Sequence, residues 1–172
     1  MSSPASADDS ADDFVDGFDY PVLVVTTVDP GTGHRAGCLV GFSTQASIDP
    51  FRYLVCLSRS NHTFEVARGA RHLAVHVLDR DDPDQREPAE LFGTRTGDEI
   101  DKFARCAWRP GPAGVPLLTG ASRRLAGRIL DRFDLGDHVG FLLEPVQVEG
   151  DSAADPLGFH GVEDLEPGHP SG

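Results

Sequence analysis

Basic residues are missing from both ends of this 172-residue sequence: neither residues 1–34 nor residues 133–172 contain Lys or Arg. Those ends hold seven and nine acids, so the middle carries all 15 basic residues against 12 acids in a chain of net charge −13. Nucleic-acid binding needs a concentrated basic footprint, which this distribution does not supply. Acidic ends favour solubility, and the mildly basic middle leaves room for a small anion such as a phosphate. Cysteine is scarce as well. Cys38, Cys56 and Cys106 are odd in number and lack CxxC spacing, which excludes a secreted disulfide scaffold and a zinc ribbon. Cys38 and Cys56 sit among apolar neighbours and read as core residues. No apolar run approaches the ~18 residues of a membrane helix. The opening Met1-Ser2-Ser3-Pro4 lacks the basic and apolar regions of a signal peptide, and the expectation is a soluble cytoplasmic protein. GxSxG, P-loop and HExxH patterns are absent, leaving serine hydrolase and nucleoside triphosphatase chemistry without support. His72 and His76 are four apart but have no third ligand at a compatible spacing. They read as surface histidines, and no metal is expected.

What is present is a core and many turns. Leu, Ile, Val and Phe number 44, enough at this length for one domain that needs neither disulfide nor structural metal. Gly and Pro together number 32, an excess that argues against a long-helix bundle or a coiled coil. Residues 1–13, mainly Ser, Ala and Asp, have little to bury and are expected to be disordered. Residues 166–172 read as a flexible tail, leaving a domain over 14–165.

The body reads mainly as strands. Pro21 to Val28 and Arg35 to Thr44 flank Asp29-Pro30-Gly31-Thr32-Gly33, strong turn chemistry that predicts a hairpin. Arg52 to Leu57 and His72 to Leu78 follow, the latter with Leu73, Val75 and Val77 on one face. Asn61 to Arg68, Glu87 to Phe92 and Asp98 to Phe103 read as short helices. Leu125 to Phe133 and His138 to Val148 form a second long hairpin. Closely spaced strands with few helices point to an antiparallel, wholly or partly closed barrel.

Two polar segments stand out. In Gly37 to Ser47, small residues would let a flat ligand approach the backbone, and Ser43, Thr44 and Ser47 offer hydroxyls. A Gly-bearing edge strand explains the same pattern. Ser58 to Thr63 leaves a strand and enters a helix, whose free N–H groups suit a phosphate, with Arg59 as a fork donor. A Ser60 or Asn61 helix cap explains that segment equally well.

Taken in order, further stretches carry a resemblance. They are Tyr20-Pro21-Val22 through Thr27, Gly41 through Pro50, Ser58 to Thr63, and Leu73 to Leu78. Next come Leu91-Phe92-Gly93, Asp101-Lys102-Phe103, Gly114 to Leu118, Gly136-Asp137-His138, and Pro156 to Gly161, which looks like a closing strand. This set resembles the flavin reductase-like proteins with an FMN-binding split barrel, over about 14–165. The resemblance implies a mainly β, Greek-key split β-barrel that forms a homodimer with flavin near the interface. It implies that Cys38, Leu39 and Val40 face the isoalloxazine through their backbone. Ser43 and Thr44 would reach the ribityl chain or phosphate, and Ser58, Arg59, Ser60, Asn61 and Thr63 would surround the phosphate. His138 would meet the nicotinamide as the catalytic position. The sequence departs from the family at Gly127, often Cys, at His76, often Asn, and in its Arg-rich second hairpin (Arg123, Arg124, Arg128, Arg132).

The implied activity is NAD(P)H-dependent reduction of FMN or FAD, with NADH or NADPH as donor and a separate monooxygenase as a partner for reduced flavin. The flavin accepts hydride itself, so the protein's task is to stack donor and acceptor at roughly 3–3.5 Å. The same barrel also suits an electron carrier without reductase activity, or a deazaflavin or heme ligand.

Overall fold

A computed structural model describes residues 6–94, 100–150 and 152–166. In chain order the helices and strands begin with α1 (Ala7–Val15), β1 (Leu23–Val28), β2 (Arg35–Val40), β3 (Ser43–Ser47) and β4 (Arg52–Ser58). Next are α2 (His62–Ala67), β5 (His72–Val77), α3 (Arg86–Thr94), β6 (Trp108–Pro110) and β7 (Pro116–Leu118). The long strands β8 (Arg123–Asp134) and β9 (His138–Gly150) complete the set. Seven strands form one antiparallel sheet in the order β2-β1-β5-β8-β9-β4-β3, and β6 pairs with β7 in a separate ribbon.

The sheet curls. Cys38 and Val40 of β2, at one edge, share a single buried cluster with Val55 and Leu57 of β4, near the other edge. Leu23 and Val25, Leu73 and Val75, and Phe141 and Leu143 complete that core from β1, β5 and β9. Phe64 and Ala67 of α2 close one end. A flat sheet would hold its first and sixth strands five strand spacings apart, roughly 24 Å, so shared burial requires a barrel. Val24 of β1 faces outward: with Val22, just before the strand, it packs with Phe92 of α3, Phe103 and Leu118 in a second cluster.

Several sequence expectations meet a different local outcome. Arg35 to Thr44 is two strands, because the chain changes partners at Gly41-Phe42: β2 pairs with β1, whereas β3 pairs with β4. The Phe42 carbonyl accepts the Cys56 N–H at 2.9 Å in the gap. Pro156 to Gly161 is no strand. It makes single bridges, Asp79 to Pro156 and Pro21 to Gly158, then a 3-10 turn over Phe159–Gly161. Pro156 lacks the N–H that a ladder needs. Ala7–Val15 is helical where composition favoured disorder. Asp8 in its first turn suits the positive end of the helix, and Phe14 meets Phe18 edge-on at 6.0 Å. Residues 1–5 and 167–172 of the expected tails lie outside the described residues, as do Asp98 and Glu99 of the expected helix before Phe103. Lys102–Ala104 is a 3-10 turn there.

His76 corrects the surface reading. It is fully buried, with Nδ1 2.9 Å from the Val24 carbonyl and Nε2 accepting the Leu118 N–H at 3.0 Å. This geometry fixes the proton on Nδ1, and burial pulls the imidazole pKa down to about 4. At Gly127 a Cβ would stand 2.9 Å from that of Leu143, so a cysteine would need the neighbouring strand to shift. Cys38 is a core residue as expected, while Cys56 is only partly buried.

Candidate functional site

A cleft of about 360 Å³ opens where the chain changes partners between β2 and β3. That volume lies within the usual range of small-molecule sites. Cys38, Leu39 and Val40 form its strand wall, continued by Gly41 and Phe42. Tyr20, tied to the closing segment by the Pro21–Gly158 bridge, and Phe159, from the closing 3-10 turn, also line it. Ser58 and Asn61 enter from the end of β4, and Asp137 and His138 from the start of β9. Ser58 and His138 are register partners, so strand pairing itself brings these two chain segments together.

The aromatic rings form a row. His138 lies 5.0 Å from Phe42, Phe42 lies 6.2 Å from Tyr20, and Tyr20 stacks on Phe159 at 5.0 Å, centroid to centroid. Asp137 Oδ1 is 2.7 Å from His138 Nδ1, and this hydrogen bond holds the Asp137 carboxyl below its ordinary pKa. Burial pushes the Cys38 thiol up to about 11, so it stays protonated at neutral pH and offers no thiolate to the cleft. Burial also raises the Tyr20 phenol.

Of the residues singled out from sequence, the cleft gathers Cys38, Leu39, Val40, Ser58, Asn61 and His138. Five others stand outside its lining. Ser43 Oγ is 2.8 Å from the Tyr53 hydroxyl, and Thr44 Oγ1 donates to the Gln45 carbonyl. Ser60 Oγ is 2.9 Å from Ser58 Oγ. Thr63 is buried and donates its N–H to the Asn61 side chain, the capping bond of α2. Arg59 reaches away to the β8–β9 turn, bonding Asp134 at 2.7 Å and the Gly136 carbonyl at 2.8 Å. Sequence patterns alone assign no role to Tyr20, Phe42, Phe159 and Asp137. Their signal was an aromatic beside Pro or Gly, and the acid before His138. Among the described residues, no group of three or more His, Cys, Asp or Glu side chains could hold a metal. No helix of the described residues is long and apolar enough to cross a membrane.

Comparison with known proteins agrees with this architecture. The chain is 30% identical over 140 residues to the FMN reductase (NADH) RutF of Stutzerimonas stutzeri, covering 81% of this chain and 77% of that protein. It is 28% identical over 131 residues to the ferric-chelate reductase (NAD(P)H) of Archaeoglobus fulgidus, covering 76% and 75%. The solved structure of the NADH:FAD oxidoreductase of Streptomyces globisporus C-1027 superposes with a TM-score of 0.77 at 26% identity, over 94% of this chain and 92% of that one. Two longer relatives from Rhizobium meliloti are matched over only 42% and 50% of their length. The family described as flavin reductase like domain matches residues 15–164, and the chain belongs to that family.

Proposed function

We propose that this chain is an NAD(P)H-dependent flavin reductase that passes hydride from NADH or NADPH to FMN or FAD. The observation that carries this reading is a cleft whose strand wall, Cys38 to Val40, runs into an aromatic row ending on an Asp137-held imidazole. Tyr20 and Leu39 already fill the space beside Gly41 and Gly93, where a Cβ would stand 2.8 Å and 3.1 Å from them, so a larger residue at either glycine would push on side chains that line the cleft. When bound, the flavin supplies the hydride-accepting N5 atom, which asks little acid–base chemistry of the protein.

The residues divide the remaining work. The backbone of Cys38, Leu39 and Val40 would hold the isoalloxazine, and Ser58 and Asn61 the polar chain leaving it. Arg59, Ser60 and Thr63 would support the phosphate end, and Ser43 and Thr44 the ribityl side. Asp137 occupies His138 Nδ1, so Nε2 is the nitrogen available to orient a nicotinamide. The acting unit is the domain over 14–165, working as a homodimer. Exposed Phe133 and Leu135 on the long hairpin offer apolar surface for a second copy. An open cleft suits release of reduced flavin to a separate monooxygenase.

The test is donor oxidation with added FMN and FAD, expected to depend on flavin. A chain that binds flavin yet consumes neither donor is an electron carrier instead. Light scattering should give about twice 18.4 kDa, and a flavin-binding monomer would refute the assembly.

A further inference from the structure

Two histidines meet where the β1–β2 hairpin approaches the start of α2. His34 Nε2 lies 3.0 Å from His62 Nε2, and the rings stand edge to face with centroids 5.3 Å apart. Sequence spacing conceals the pair, because 28 residues separate its members. His34 is exposed and His62 half-buried, and neither lines the cleft. Two facing imidazole nitrogens tolerate each other only when one carries a proton and the other a lone pair. One shared proton therefore holds this contact, and a metal ion can take its place.

Both rings sit on backbone fixed by local hydrogen bonds. Asp29 closes the hairpin: its Oδ1 accepts the N–H groups of Gly31 at 2.7 Å and Thr32 at 3.0 Å, and its carbonyl accepts that of Gly33 at 2.9 Å. The Asp29 N–H donates to the His34 carbonyl at 2.8 Å, and the His34 N–H donates to Thr32 Oγ1 at 3.2 Å. Across from it, His62 opens α2 directly after the Asn61 cap, and Phe64 anchors that helix in the barrel core. The N–H bonds from Thr32 and Gly31 hold the Asp29 carboxyl below its ordinary pKa, and His34 is near enough to add to that effect. A carboxylate thus stands beside the pair and favours a cation there. The neighbouring cations are engaged elsewhere: Arg35 lies over Trp108, and Arg68 pairs with Glu65.

Geometry selects the ion. First-row metals bind imidazole nitrogen at roughly 2.0–2.1 Å, which sets two neighbouring nitrogens about 2.9–3.4 Å apart between square and tetrahedral angles. The 3.0 Å found here falls in that range, and the exposed His34 ring can tilt to bring both lone pairs to one point. We propose that His34 and His62 form a two-imidazole site for a divalent first-row ion, Ni²⁺, Cu²⁺ or Zn²⁺, with water in the remaining positions. With only two protein ligands the ion is exchangeable, and while bound it ties the hairpin to α2.

Calorimetric titration of the untagged, chelator-treated full chain with nickel and zinc chloride tests it. Wild type should bind one ion per chain, and His34→Ala and His62→Ala should each weaken binding by at least about tenfold. His160→Ala, at an exposed histidine that sits beside Asp19 instead, should stay within about twofold. Zn²⁺ should also raise the unfolding midpoint of wild type and leave that of either site variant nearly unmoved. Nitrogen NMR of wild type gives a readout that needs no substitution: Zn²⁺ should move the Nε2 resonances of two of the seven histidine rings, those of His34 and His62. No saturable binding, binding that survives both site substitutions, equal loss in His160→Ala, or Zn²⁺ shifts confined to other rings overturns the proposal.

Discussion

The two faces of β1 are both buried, yet they are held by different physics. Toward the barrel, Leu23 and Val25 share one apolar cluster with Phe141, Leu57 and Leu73. On the outer side, Val24 offers its carbonyl to buried His76, and Phe92 and Phe103 pack beside Lys102, whose ammonium binds backbone carbonyls. The inner core gains from area removed from water, while the outer layer adds polar pins that fix backbone to backbone. The cleft lies where the two meet, lined by Cys38 and Val40 from the inner cluster and by Val22, Val162 and Leu165 from the outer one.

Emptying the inner core should produce the largest effect. Phe141→Ala is expected to cost about 3–5 kcal/mol, read as a lower urea midpoint. A loss below ~1 kcal/mol would mean that the barrel interior is not tightly packed. The outer layer should instead answer to acid. Above pH 6.5, His76 is neutral in folded and unfolded chains alike. Between pH 6.5 and about 4, the unfolded chain binds a proton that the folded chain does not, so stability falls as pH falls through that window. The full shift corresponds to about 3 kcal/mol at most, and this group adds nothing further below pH 4. His76→Asn should flatten the profile between pH 6.5 and 4. An unchanged slope in the variant would assign the acid sensitivity to other groups.

At the junction, function should change without either core. His138→Ala should lower kcat/KM for the nicotinamide donor by about 10–100-fold, ~1.4–2.8 kcal/mol, with flavin affinity and unfolding midpoint nearly constant. Loss of flavin and donor binding together would make His138 structural. The smallest change is expected at Arg59, which the structure ties to the β8–β9 turn. Arg59→Ala should weaken FMN by roughly fivefold and riboflavin hardly at all, as for an exposed charge-assisted contact. Equal weakening of both ligands would remove Arg59 from phosphate binding.

Local patterns made much of the fold legible. Alternation in His72 to Leu78 and the Asp-Pro-Gly turn before Arg35 follow from short-range rules, and the strands formed there. Asn61 capping α2 was equally readable, since the cap bond spans only two residues. The partner change at Gly41-Phe42 was not, because pairing with β4 rather than β1 depends on closure of the whole sheet. Burial of His76 was hidden for the same reason: its partners are Val24 and Leu118, 52 and 42 residues away. The row of Tyr20, Phe42, Phe159 and His138 likewise draws on four separated segments. The Asp137 pairing needed only the neighbouring residue, and it was the acid before His138 that went unassigned.

Trp108 is the only tryptophan in the chain, so the protein's intrinsic indole fluorescence comes from a single place. Its Nε1–H is bonded to the Phe103 carbonyl at 3.0 Å, which fixes the ring, while Arg35 holds a positive charge over its face. Indole emission follows the local electric field. Anything that draws the Arg35 guanidinium off the ring should therefore change the colour and intensity of the light the protein emits. The molecule carries its own optical gauge of the hairpin end of β2, separate from the yellow absorption of any flavin in the cleft.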